Sequence, residues 1–452
     1  MTEKLFNDFD AVSAAEWKQK IQFDLKGADY NETLIWNSNE GISVKPFYHA
    51  DNKNDFNTST IINKPFNICE TIEVTSAEKA NHKALLAREK GSESTFFIVD
   101  QACDTEKLLL NLGGDIHFSI RFLDVNFLKN LIQELSKKEN QCFLNIDLIG
   151  NLAETGNWFH NLNTDHQIIE ELIELKSDNI VFFGIDSTIY QNAGANMTQQ
   201  IAYALAHANE YLNHFGDKAA NSIQFKVAMG SNYFFEIAKI KALRSLFNLL
   251  VKEYTDKPTT VNILAFPSRR NKTLYDYNVN MLRSTSECMS AILGGANTIS
   301  NLPYDAIYHH ENEFGSRISR NQLQILKAES YFDKVLNPTE GAYYIEELTR
   351  QLAERALELF KQIEKSGGFL KQLKEGTIQR KIKESAAKEQ EQFDNQEIIL
   401  LGTNKHPNEK DMMKETIEKE AFLKIEKRKT LLEPIIQKRL AEELEQNRLK
   451  NE

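Results

Sequence analysis

Ile180-Val-Phe-Phe-Gly-Ile-Asp186 is a short apolar run that ends on a carboxylate, and Ile223-Gln-Phe-Lys-Val-Ala-Met229 is a second run of the same length. Each has the size and the β-branched and aromatic content of a strand. Between them, residues 196–216 place Ala202, Leu205, Ala208 and Leu212 on one stripe, which predicts an amphipathic helix. A strand, a helix and a strand in that order form a βαβ unit with parallel strands.

The same alternation continues on both sides of this unit. Candidate strands lie upstream at 71–75, 94–100, 115–121 and 142–148, and downstream at 259–265 and 296–302. Helical spacing recurs over 232–255, where Tyr233, Ile237, Ile240, Leu243, Phe247 and Leu250 follow one another every three or four residues. Eight such units in series predict an α/β fold, a (β/α)8 barrel closed inside its helices, with a doubly wound open sheet as the alternative. The barrel is expected over residues 61–367. Residues 1–60 precede it as an extended N-terminal arm with one short helix near 14–27, and with turns and extended chain at Asp24–Asp29 and Asn39–Tyr48. After residue 343 the chain becomes rich in Lys and Glu. Helices are expected over 343–365, 368–393 and 410–428, with a last one from 431 to 452 opened by Pro434. Residues 368–452 read as a charged helical linker or interaction region with a solvated surface.

With 452 residues, 41% hydrophobic and 26% charged, the chain has the composition of a soluble protein with ample core. A net charge of −11 argues against nucleic acid and anionic membranes as partners, although a local basic patch can still hold phosphates. Cys69, Cys103, Cys142 and Cys288 lie far apart with no CxxC pair, as buried thiols in a reducing compartment do. The opening MTEKLFNDFD has neither a basic nor an apolar signal region, and no run of about 18 apolar residues occurs. The expected location is the cytoplasm.

Few motifs carry chemistry. No GxGxxG or GxxxxGK[ST] cradle is present, and Gly113-Gly114 and Gly294-Gly295 read as turns or helix C-caps. His309-His310-Glu311 has metal-ligand residue types, but adjacent side chains diverge, so an exposed loop is expected there. Arg269-Arg270 follows the seventh strand, where barrels place ligand loops; a guanidinium pair could hold a phosphate or carboxylate, or bridge to a partner chain. Asp100, Asp147 and Asp186 end three strands and would gather on one rim, as acid/base groups or as helix N-caps and loop anchors.

Several segments resemble the cobalamin-dependent acyl-CoA mutases, and methylmalonyl-CoA mutase in particular. Asp186-Ser-Thr-Ile-Tyr-Gln-Asn-Ala-Gly-Ala195 resembles the family's substrate-site loop, and Asp24–Asp29 with Asn39–Tyr48 resembles its N-terminal arm. Lys272–Arg283 followed by Ala291–Gly295, then Ile318–Ser330 and Val335–Thr349, are similar to later family motifs in order and spacing. The resemblance implies a barrel that carries a CoA ester along its axis with a cobalamin over one end.

Against that pattern the substitutions are consistent. Thr188 and Ile189 stand where the family has a Tyr-His pair, and only Gln191 of the polar set is retained, where it could be a structural amide. Leu264-Ala-Phe-Pro-Ser-Arg269 replaces His-Thr-Gln-Thr-Ser-Gly, so a second histidine becomes Leu264 and a glutamine becomes Phe266. Cys69-Glu-Thr-Ile-Glu-Val74 replaces a run that supplies an arginine and an aromatic. Asp115-Ile-His-Phe-Ser-Ile120 imitates the cobalt-ligand motif Asp-x-His-x-x-Gly but lacks its glycine and falls on the third strand. No flavodoxin-like cobalamin domain is recognisable, and Arg439–Leu449 resembles the start of the linker in small subunits.

Taken together, the resemblance implies a small, non-catalytic subunit of a heterodimeric mutase. Its large subunit would hold adenosylcobalamin and interconvert succinyl-CoA and (R)-methylmalonyl-CoA. No catalytic, cofactor-binding or metal residue is assigned to this chain. The alternative is a catalytic barrel that binds acyl-CoA and uses a separate cobalamin-binding subunit. It requires an open axis lined with small polar side chains, and Phe96, Phe97, Phe143, Phe182, Phe183 and Phe225 weigh against that.

Overall fold

In a computed structural model, residues 8–52, 64–423 and 428–452 are described. Eight strands occur where the apolar runs place them: β1 (Asn67–Glu73), β2 (Ser94–Val99), β3 (Asp115–Ile120), β4 (Cys142–Ile146), β5 (Ile180–Asp186), β6 (Ile223–Met229), β7 (Asn262–Pro267) and β8 (Thr298–Ser300). Each pairs in parallel with its neighbour in sequence, and β8 pairs with both β7 and β1. The sheet therefore closes, and the open-sheet alternative is excluded. The strand ends differ from expectation mainly in β1, which begins four residues earlier than 71, and in β7, which begins at Asn262 rather than 259.

Helices wrap the barrel as the stripes predict. The helix Met197–Phe215 begins with a capping box, in which Asn196 accepts from Gln199 N while Gln199 reaches back to the cap. Gly295, at φ 89°, ends the helix Val279–Gly294 in the left-handed conformation that glycine adopts most readily. The long helix Tyr343–Lys365 packs against Tyr233–Val251 and Met197–Phe215.

The arm carries the expected helix at Ala14–Asp24, capped by Ser13 and Glu16. A two-residue antiparallel pair, Trp36–Asn37 with Ser43–Val44, follows. Parts of the arm, residues 1–7 and 53–60, lie outside the described residues.

The barrel has two distinct apolar regions. Side chains such as Ile68, Phe97, Phe118 and Ile263 point outward into one large cluster shared with the helices. Inside the staves, Cys69, Phe96 and Leu264 form a separate cluster with Ile98 and Phe266. The strand phenylalanines therefore divide. Phe225 meets Phe247 of the outer helix and Phe183 meets Tyr211, whereas Phe96 meets Phe266, and Phe143 lies flat against His117.

The C-terminal region corrects the sequence reading. The expected helix 368–393 is two helices, Phe369–Lys374 and Thr377–Asp394, broken at Gly376 with φ 73°. The expected helix 410–428 is not helical over its described part, residues 410–423 and 428, and 424–427 lie outside the described residues. From 431 to 452 only Glu442–Lys450 is helical. The backbone donors go elsewhere: Leu431 and Leu432 N donate to Gly156 O, Ile435 N to Ala153 O, Lys438 N to Asn192 O and Leu440 N to Arg270 O. These bonds spend the N–H groups a helix would need, and Pro434 has none to give. A Cβ on Gly156 would sit 2.6 Å from Leu432 O, so the strap lies directly on a glycine.

Candidate functional site

The C-terminal ends of the strands open into a funnel of about 650 Å³, the face on which (β/α)8 barrels build their sites. Its floor is set by side chains that face the axis. Gln224 accepts from Asn145 Nδ2 at 3.0 Å and lies 3.0 Å from His117 Nδ1. Because that glutamine oxygen can only accept, His117 carries its proton on Nδ1. The imidazole stacks on Phe143 with ring centroids 4.3 Å apart and 7° between planes. Burial pushes the His117 pKa down to about 4, so it is neutral at pH 7.

Two of the three rim carboxylates meet. Asp147 caps the helix Leu148–Thr155 by accepting Gly150 N at 2.7 Å. The same carboxylate accepts from Tyr211 OH at 3.0 Å and Asp186 N at 3.0 Å, and His207 Nε2 lies at 2.8 Å. Burial opposes the Asp147 charge, yet the His207 ring and these hydrogen bonds hold its pKa below the ordinary value. Asp186 pairs with Lys226 Nζ at 2.6 Å and accepts Thr188 N at 3.1 Å. Asp100 is not part of this group; it is exposed and pairs with Arg121 at 3.2 Å. The anchoring role among the two sequence alternatives is the one these contacts fill for Asp147.

The loop after β5 presents Thr188, Ile189 and Asn192 to the funnel and turns Tyr190 and Gln191 away from it. Ile189, 3% exposed, lines the wall. Behind it, Tyr190 OH lies 2.9 Å from His207 Nδ1, and Gln191 Oε1 accepts from Ser268 OH at 2.8 Å, tying the end of β5 to the end of β7. Leu264 is fully buried within the barrel, and Phe266 packs on Phe96 at 5.3 Å. Cys69 is buried beside them, and desolvation pushes its thiol pKa up, so it is no nucleophile at neutral pH.

Arg269 and Arg270 separate. Arg270 Nε donates to Glu389 at 2.5 Å and Nη1 to Lys438 O at 2.8 Å, so it ties the C-terminal segment to the barrel. Arg269 lines the funnel instead; desolvation lowers its pKa, with Glu73 opposing. His309, His310 and Glu311 reach the mouth but go to separate partners: Asp305 lies 3.2 Å from His309, Lys83 binds Glu311 at 2.8 Å, and Glu418 accepts the backbone N of His310 at 2.9 Å. Among the described residues no group of three His, Cys, Asp or Glu side chains could hold a metal ion. Nor does His117 fit a cobalt ligand, since it is wholly buried inside the barrel and engaged by Gln224 and Phe143.

Sequence reading overlooked Lys226, Asn145 and Lys419, which all line the funnel. Asn145 is the single polar residue of β4, and Lys226 with Gln224 interrupts the apolar run of β6; those interruptions were the available signal. Lys419 belongs to the irregular C-terminal strap, whose path no local pattern announces.

The fold and its funnel define a (β/α)8-barrel protein whose site mixes apolar side chains, such as Ile189 and Phe266, with a charged rim that includes Asp147, Asp186, Lys226 and Arg269. A family model described as methylmalonyl-CoA mutase matches residues 125–450, and the chain belongs to that family. It is 31% identical over 447 residues to the methylmalonyl-CoA mutase small subunit of Porphyromonas gingivalis (strain ATCC BAA-308 / W83), covering 90% of this chain and 71% of that one. It is 30% identical over 275 residues to the small subunit of Streptomyces virginiae, covering 58% and 44% respectively. The Porphyromonas gingivalis large subunit is 30% identical over 252 residues, covering 53% and 35%. The chain thus spans only part of each relative. No helix among the described residues is long and apolar enough to cross a membrane.

Proposed function

We propose that this chain is the small, non-catalytic subunit of a heterodimeric methylmalonyl-CoA mutase. A large subunit would hold adenosylcobalamin and carry out the interconversion of succinyl-CoA and (R)-methylmalonyl-CoA in the cytoplasm. On this reading residues 61–367 form a mutase-like barrel kept for its shape, while the arm, 1–60, and the C-terminal region, 368–452, are the candidate contacts with the partner. No residue here serves as a catalytic, cofactor or metal group.

One observation carries the reading: of the three residues that replace two histidines and a glutamine, Ile189 and Phe266 turn apolar side chains to the funnel and Leu264 is buried in the apolar cluster inside the barrel. A thioester carbonyl that develops negative charge needs donors placed at it, and hydrocarbon supplies none. The axis below the funnel supports the same reading, because His117, Phe143, Gln224 and Leu264 fill it with at most 4% exposure each. The split-mutase alternative requires that path to be open.

The test is an isomerisation assay with adenosylcobalamin on the purified chain, alone and with its large partner. Turnover is expected only from the pair. Turnover by the isolated chain, or by the chain with a short cobalamin-binding polypeptide, would sink the proposal.

A further inference from the structure

The funnel is closed below and open above, and two features of its wall have no part in the contacts described so far. At the mouth, Arg269 and Lys419 face one cavity; burial lowers the pKa of both, the guanidinium adds to the lowering at Lys419, and Glu73 opposes it at each. The other cations there are matched: Lys226 with Asp186, Arg121 with Asp100 and Arg320 with Glu70. Among the described residues neither Arg269 nor Lys419 has a carboxylate within ion-pairing distance, and the guanidinium of Arg269 makes no hydrogen bond. Two like charges gathered in a concave, partly desolvated site favour an anion between them.

Deeper in, Asn145 is 3% exposed and its Oδ1 has no partner, because the amide nitrogen is already given to Gln224. Its backbone is left-handed, with φ 51°, at the point where the register between β4 and β5 shifts. Gly184 opposite has no Cβ; one would lie 2.8 Å from that of Asn145. A buried acceptor left unpaired is disfavoured and calls for a partner, and Asn is a residue type that takes up the left-handed conformation readily.

We infer that the funnel binds a small organic anion that also carries a hydroxyl or amide donor, with its carboxylate or phosphate ester at Arg269 and Lys419 and its donor on Asn145 Oδ1. The volume suits a metabolite-sized molecule. Such a ligand enters and leaves by the mouth, since the plug of His117, Phe143, Gln224 and Leu264 leaves no path along the axis. This site goes beyond the non-catalytic reading and does not depend on it: it is a binding site on this chain's own barrel, built from residues outside the substituted segments except for Arg269.

Calorimetric titration of the full chain with L-malate, glycerol 3-phosphate and succinate tests it. Malate or glycerol 3-phosphate is expected to saturate the chain, and which of them binds identifies the anionic group. Succinate, which lacks the donor, is expected to bind about tenfold more weakly than malate if the carboxylate is the group held. Arg269→Ala and Lys419→Ala, on two different segments, are each expected to weaken binding by about tenfold or more, with the unliganded melting temperature unchanged. No saturation by any probe up to about 10 mM, or affinities unmoved in both variants, would overturn the inference. Methylmalonyl-CoA binding more tightly than the small anions and needing Arg269 would overturn it too, by making the funnel an acyl-CoA site; absence of turnover in that case would leave the non-catalytic reading standing.

Discussion

Lys272 Nζ lies 2.7 Å from Glu287 Oε2 and 2.9 Å from Oε1, with the two side chains 2% and 1% exposed. Asn271 Nδ2 adds a third bond to the same carboxylate at 2.7 Å. The pair joins the loop after β7 to the helix Val279–Gly294, and it begins the Lys272–Arg283 motif. Removing one partner strands the other charge in the interior. Lys272→Met is therefore expected to cost about 3–5 kcal/mol in urea denaturation, whereas Lys272→Met with Glu287→Leu recovers most of that loss. A double variant as unstable as the single one would show that the pair does more than neutralise itself.

The stacked His117 makes stability depend on pH in a defined window. Its folded pKa is about 4, below the usual 6.5 of the unfolded chain, because burial disfavours the cation. The unfolded state thus binds a proton that the folded state does not between those values. The contribution is fully present above pH 6.5 and is lost as pH falls toward 4, at about 1.4 kcal/mol per pH unit. Comparing wild type with His117→Gln in denaturant between pH 7 and pH 4.5 isolates it from the carboxylates, at about one proton of difference in slope. Equal slopes would place the imidazole in contact with water.

Leu264 shows why restoring a lost polar group would not restore a site. The side chain is fully buried in the apolar cluster it forms with Cys69 and Phe96. Leu264→His is expected to lose about 2–4 kcal/mol, from lost packing and an unpaired donor, without gain of isomerase activity. Leu264→Met, which conserves volume, is expected to cost less than about 1.5 kcal/mol. Thermal and urea unfolding of both variants, with a turnover assay, measure this.

The legibility of the chain follows from where its hydrogen bonds are made. Strands and the helices between them satisfy their backbones in regular ladders, so apolar runs such as Ile180–Asp186 and the stripe through Ala202 and Leu212 announce them locally. The inward or outward sense of each phenylalanine was not legible. Parallel strands buried on both faces lose the alternation that would mark sides, so Phe96 and Phe97 look alike although only Phe96 enters the barrel. The rim was half legible: Asp147 and Asp186 meet through a backbone bond that forms once β4 and β5 pair side by side, while Asp100 turns to Arg121. The C-terminal strap was least legible, because charged, helix-favouring residues there bond to distant carbonyls instead of their own.

Arg270 holds that strap by its side chain and its carbonyl at once. The guanidinium bridges Glu389 of the helix Thr377–Asp394 and Lys438 O of the strap, while Arg270 O accepts Leu440 N at 2.8 Å. Arg270→Ala leaves the carbonyl contact but deletes both side-chain bonds and leaves Glu389 without its partner. The expected result is a loss of about 2–3 kcal/mol localised to residues 428–441, seen as faster amide exchange at Ile435, Lys438 and Leu440. Exchange within β5 and β6 should be unchanged, because those amides bond within the barrel. Acceleration throughout the barrel would mean that the strap and the barrel unfold as one unit, and that the C-terminal segment is part of the core's cooperative fold.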